Sequence, residues 1–192
     1  DRMLLFDEKD AFDGIVEDNL FSVFSNSFLV VLGKDFPVKY VKYSNDRAPK
    51  YQIRTEIRKE AEKWCVRKYP TADCAKEHVR NMEKAYQLLR ERYKGSSLEL
   101  NRCSLKENEQ ELFAEFEYIK GITLAEIMDS YLAQDDLDAF YDKYKEYVKR
   151  IGYGEGCGVT DFDLIFANIL TDGDKWTLID YEWTFEKEIP TK

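Results

Sequence analysis

With 192 residues, 44% of them hydrophobic and 15% aromatic, the chain can bury a core and is too aromatic for a disordered segment. Its net charge of −9 argues against nucleic acid or an anionic membrane as the main partner, yet leaves room for a small anion held by a few local cations. No apolar run approaches the roughly 20 residues of a membrane span, no signal peptide is visible, and Cys65, Cys74, Cys103 and Cys157 form no C-x-x-C pair, so reduced thiols in a cytoplasmic protein are expected. The single histidine, His78, excludes multi-histidine zinc sites and disfavours a Ser-His-Asp triad.

Residues 1–19 are acidic and mildly amphipathic, which predicts a short helix on the edge of the domain. Leu20–Phe24 and Phe28–Leu32 are β-rich runs split by Ser25-Asn26-Ser27, a hairpin with a small polar tip. A third strand is expected over Phe36–Tyr43. Lys42 suits the pattern apolar-x-x-Lys closing that strand and is chosen to reach a nucleotide's phosphates, the alternative being a solvated edge-strand lysine. A helix is predicted from about residue 50 to Tyr69, with Ile53, Ile57 and Trp64 on one face and Pro70 ending it. A second, capped by Thr71 or Asp73, carries the stripe Ala75, Val79, Met82, Tyr86 and Leu89 and stops at Gly95. Glu56, Glu60 and Glu83 lie beside these stripes, and one of them is a candidate to pair with a strand lysine.

Leu98–Leu105 and Glu111–Tyr118 read as further strands. Gly121 and a Thr123 cap lead into one helix, and another spans about Leu137–Ile151. The run Gly152-Tyr-Gly-Glu-Gly-Cys-Gly158 follows a helix rather than joining a strand to one, so it supports neither a dinucleotide fingerprint nor a P-loop and reads as a flexible approach to Asp161. The stretch from Asp161 to Trp183, DFDLIFANILTDGDKWTLIDYEW, then reads as loop, strand, tight turn and strand. It aims a loop Asp (Asp163), a loop Asn (Asn168) and a strand-end Asp (Asp180) at one place. Phosphoryl transfer uses such a set: a carboxylate for the attacking hydroxyl, and an amide oxygen with a carboxylate for Mg²⁺.

Together these pieces resemble a protein-kinase-like fold over roughly residues 20–185. The fold expected is α+β, with a five-stranded antiparallel N-lobe sheet and two helices inserted after its third strand. Residues 1–119 would form the N-lobe, and residues 120–192 a partial, mainly helical C-lobe. FEYIKGITL resembles the hinge that docks adenine; DFDLIFANIL and LIDYEW resemble the catalytic and metal-binding loops. Asp180-Tyr181-Glu182 in place of D-F-G, and Ser25-Asn26 in place of a glycine-rich loop, are similar to the aminoglycoside phosphotransferase and choline kinase branch. The kinase-like modules of bacterial surface-polysaccharide proteins offer a further likeness. Two features depart from the kinase pattern: Asp161 stands where a bracing histidine is usual, and the second half of the C-lobe is missing.

The resemblance implies an ATP-dependent phosphotransferase acting on a hydroxyl of a small molecule or glycan. Lys42 would contact the phosphates, steadied by Glu83, with Glu56 and Glu60 as alternatives. Glu117, Tyr118 and Ile119 would hold adenine through backbone groups, and Phe116 would line the pocket. Asn168 and Asp180 would bind Mg²⁺, and Asp163 would orient or deprotonate the acceptor. A chain that begins with Asp and ends soon after the DYEW stretch suggests a covalent neighbour domain. The alternative is a pseudokinase-like nucleotide-binding or regulatory module. A glycosidase carboxylate pair is disfavoured, because nothing beyond Asp161 and Asp163 suggests a sugar-cleaving cleft.

Overall fold

The computed structural model describes residues 14–15, 17–18, 20 and 36–189. The chain divides into two compact units, Asp1–Phe36 and Pro37–Lys192. In the first, Gly14, Ile15 and Glu17 are helical, and Asp18 and Leu20 donate backbone hydrogen bonds to the carbonyls of Gly14 and Ile15. The expected hairpin with Ser25 and Asn26 at its tip lies outside the described residues, Leu20 apart.

The second unit is α+β. Strand β1 (Val38–Ser44) matches the strand expected there. The helix predicted over residues 50–69 is instead a hairpin of β2 (Ile53–Glu60) and β3 (Lys63–Pro70). Ile53, Ile57 and Trp64 fit a helical stripe, but they also sit among Thr55, Val66 and Tyr69, β-branched and aromatic residues that favour a pleated surface. Ala61 reverses the chain at φ 53°, the left-handed conformation of a tight turn. Pairing with β1 on one side and β6 (Leu112–Glu117) on the other then satisfies both ladders. With β5 (Cys103–Glu107) the sheet runs β1-β2-β3-β6-β5, antiparallel throughout. Two of its five strands, β2 and β3, therefore stand where a helix is expected from the sequence.

Residues directly opposite in an antiparallel pair share a face. Ile57, Val66, Phe116 and Cys103 form one row across the inner face, and Lys42, Thr55, Lys68 and Ala114 form another. Helix α1 (Lys76–Arg92) covers this face with Val79, Met82 and Leu89, the stripe expected from its period. It has no side-chain cap; a 3-10 turn over Asp73–Ala75 leads into it instead. One α-helix, not two, separates β3 from the next strand. The strand expected over residues 98–105 breaks at Asn101 and Arg102, because β4 (Leu98–Leu100) leaves the large sheet.

The remaining elements are β7 (Ile122–Thr123), α2 (Leu124–Ala133), α3 (Leu137–Ile151), β8 (Thr160–Asp161), β9 (Ile169–Thr171), β10 (Trp176–Leu178) and β11 (Thr184–Phe185). Thr123 caps α2 as expected, and Glu126 completes a capping box. A four-stranded sheet runs β4-β10-β9-β7, and β11 pairs with β8. Since β4 precedes residue 119 and β10 follows it, this small sheet stitches the two expected lobes together. The core is continuous across them, from Val79, Met82 and Phe116 to Leu124, Met128, Ile169, Trp176 and Tyr181. The glycine-rich run is fastened to α1: buried Arg92 donates to the carbonyls of Tyr153, Ile151 and Val159. All four cysteines are free thiols, Cys65 and Cys103 buried, Cys74 and Cys157 exposed. Among the described residues no helix is long and apolar enough to cross a membrane.

Candidate functional site

The site is built where two loops leave the small sheets. Pairing of β8 with β11 sets Asp161 opposite Thr184, and Phe162 N–H donates to the Trp183 carbonyl at 3.1 Å, so the 161–168 and 179–184 segments run side by side. Asn168 braces its own loop: Nδ2 donates to the Asp163 carbonyl at 3.1 Å, while its carbonyl accepts from Ile179 N–H at 2.8 Å. Asp180 follows β10 with φ 54°. Aspartate tolerates this left-handed region better than most residues, and such conformations concentrate at functional sites. Tyr181 is buried, packs edge-on against Phe116 with centroids 5.9 Å apart, and donates its hydroxyl to the Asn101 carbonyl.

Carboxylate oxygens of Asp163, Asp180 and Glu182 lie within 4.8 Å of one another. Two cations answer them. Lys68, on β3, donates to Asp180 Oδ1 and lies 3.4 Å from Glu182 Oε2. Arg47, in the β1–β2 connection, donates to Glu182 Oε1. His78 from α1 brings Nε2 to 3.6 Å from Glu182 Oε2, beyond ordinary hydrogen-bond length, and that buried nitrogen has no hydrogen-bond partner. Tyr51, His78 and Trp183 pack against one another, with centroids 4.9–5.2 Å apart.

Charge sets the protonation states. Burial would lower the Lys68 ammonium, but Asp180 and Glu182 outweigh it and hold it above its ordinary value, so it stays charged. Burial would raise Glu182, but Lys68, His78 and Arg47 keep its carboxyl well below the usual range. Asp163 is pushed up to about 6 by burial and by the charges of Asp180 and Glu182. Asp161 rises to about 7, chiefly through burial; its Oδ1 accepts from Asp163 N–H at 3.2 Å and its Oδ2 is buried without a partner.

Asp163 and Asp180 are thus brought together as the sequence predicted, with Asn168 holding the Asp163 loop. Lys42 is not brought to them. It is exposed, two strands from Lys68 in the same row, on the edge strand β1. Lys68 is the strand lysine that reaches Asp180 and Glu182, and it too closes an apolar-x-x-Lys pattern, Cys65-Val66-Arg67-Lys68. The misassigned helix hid that signal. None of the three candidate glutamates pairs with Lys68: Glu83 accepts from Leu105 N–H, Glu56 pairs with Arg54 and Arg58, and Glu60 with Arg58 and Arg67. Glu182, from the motif itself, supplies that carboxylate. Phe116 is buried beside Tyr181 with Lys68 Nζ 5.6 Å from its ring, while Glu117 and Tyr118 are exposed and Ile119 is half-buried.

No protein-family model matches the chain, and no curated protein matches its sequence.

Proposed function

We propose that the chain is a kinase-like phosphotransferase module that binds ATP and passes its terminal phosphoryl group to a hydroxyl of a small molecule or glycan. The observation carrying this reading is the contact of Lys68, on a central strand, with Asp180, while Asp163 stands within 4.8 Å on the neighbouring loop. A buried lysine, a left-handed strand-end aspartate and a loop aspartate whose acidity is weakened toward neutrality are the groups such chemistry requires.

In this reading Lys68 holds phosphate oxygens. Asp163 accepts the proton of the acceptor hydroxyl as its oxygen bonds to the γ-phosphorus, and the bond from that phosphorus to the bridging oxygen breaks to leave ADP. Asp163 is placed for this by its loop, on the oxygen cluster shared with Asp180 and Glu182. Clustered carboxylates suit a hard divalent cation, and Asp180 with the Asn168 amide oxygen would hold Mg²⁺, while Glu182 keeps its oxygens on Arg47 and Lys68. Once bound, Mg²⁺ supplies charge neutralisation at the phosphate oxygens. Phe116 would line the nucleotide pocket, with backbone groups of Glu117, Tyr118 and Ile119 along its edge. The use of ATP suits a cytoplasmic setting, and a glycan acceptor suits a covalently attached glycan-building domain.

Asp180→Ala should abolish Mg²⁺-dependent nucleotide binding and turnover; unchanged binding and turnover would remove the assignment. A second reading, a pseudokinase-like regulatory module, draws on the direct pairing of Lys68 and Arg47 with Asp180 and Glu182, which leaves the acids neutralised from within. Nucleotide binding without phosphoryl transfer to any hydroxyl acceptor would favour it.

A further inference from the structure

The β1–β2 connection, Asn45–Gln52, contains no glycine, so its backbone cannot readily adopt the conformations with which glycine-rich loops lay N–H groups against phosphate. It offers side-chain cations instead. Lys50 turns to the Tyr51 ring, 4.8 Å from its centroid. Arg47 turns the other way, onto Glu182, with its guanidinium carbon 5.5 Å from the Trp183 ring centroid. The loop is built to hold that direction. Gln52 Nε2 donates to the carbonyls of Asn45 and Arg47, at 3.2 and 2.8 Å, and Pro49 opens a 3-10 turn whose Tyr51 packs on His78 and Trp183.

Arg47 and Lys68 take opposite oxygens of one carboxylate, Glu182 Oε1 and Oε2, so the two cations flank it. The guanidinium carries five N–H donors, and only Nη1 is engaged with Glu182 among the described residues. Its side chain keeps 27% of its surface exposed, whereas Glu182 keeps 2%. A planar, partly exposed fork with donors left over beside a second cation suits bidentate capture of phosphate oxygens.

We infer that Arg47 is a phosphate-binding residue of this site, a second cation that grips the oligophosphate of the nucleotide together with Lys68. The inference rests on the nucleotide reading above. Glu182 is then the anchor that stores both cations in position, and the glycine-free loop acts through a side chain.

The test is calorimetric titration of the intact chain with MgATP, sodium tripolyphosphate and adenosine, for wild type, Arg47→Met and Arg47→Lys, each first checked by thermal melting. Losing a charge-assisted fork should weaken MgATP and tripolyphosphate by roughly tenfold to a hundredfold, and adenosine by less than about twofold. Arg47→Lys keeps a point charge and the fold, and should fall between Arg47→Met and wild type. Unchanged MgATP affinity in both variants would overturn the inference while leaving the nucleotide reading intact. Equal weakening of MgATP and adenosine would do the same, by showing a purely structural role. A wild-type chain that binds neither MgATP nor tripolyphosphate would overturn both.

Discussion

Lys68 and Lys42 stand in the same row of the same sheet face, so variants of each, first checked for folding by thermal melting, test which lysine does the work. Lys68→Met removes the partner of Asp180 and Glu182, and MgATP affinity should drop by more than tenfold. Lys42→Met changes an exposed edge residue, and titration should find less than about a twofold effect. Reversed effects would restore the sequence-based choice. Asp161 gives a second handle through pH. Its folded value of about 7 lies above the ordinary carboxyl value of 3.8, so in that window the folded state binds the extra proton. Its contribution therefore falls as pH rises from about 4 through about 7 and is flat above. Urea unfolding in EDTA should show Asp161→Asn losing this slope. The difference between wild type and variant should shift by on the order of 2–4 kcal/mol between pH 4 and pH 8. Parallel pH profiles would mean that Asp161 is not buried as a reluctant charge. At this scale Asp163, Asn168 and Asp180 were legible because a loop and a hairpin, both local, fix their spacing. Lys68, Glu182, Arg47 and His78 meet only through pairings across more than a hundred residues or between separate elements, and local spacing carries no trace of those.

Among elements, the β2–β3 hairpin shows why pattern reading misled. Ile53, Ile57 and Trp64 satisfy a helical stripe, and the Glu60-Ala61-Glu62 turn lacks glycine, proline or asparagine, so no punctuation marked the reversal. Helix α1, by contrast, was readable because its stripe faces a sheet over four turns and Gly95, at φ 80°, ends the segment. The glycine-rich run before Asp161 follows a helix, as expected, and the structure gives one of its glycines a packing reason. Gly154 has φ 67°, and a Cβ there would lie 2.6 Å from the Arg92 carbonyl oxygen. Gly154→Ala should therefore cost about 2 kcal/mol or more, from left-handed strain plus a backbone collision. Chemical denaturation measures it directly; a cost under about 0.5 kcal/mol would show that the run can shift away from α1 freely.

Across the Pro37–Lys192 unit, an acidic chain concentrates two cations and a histidine on one carboxylate cluster, and one continuous core carries both sides of it. The α+β class and the antiparallel five-stranded sheet were both anticipated, although different strands make up the sheet. The kinase-like assignment rests on how these parts converge: a strand lysine, a loop aspartate and a strand-end aspartate at one place. If that convergence is a nucleotide site, ligand must stabilise the folded chain by mass action. The most direct measurement is thermal and urea unfolding of the intact protein with MgATP, against Mg²⁺ alone and against Asp180→Ala. At about 100 times the dissociation constant, wild type should gain about 2.7 kcal/mol and the variant none. A folded wild-type chain whose stability is unmoved by MgATP up to millimolar concentration would contradict the account.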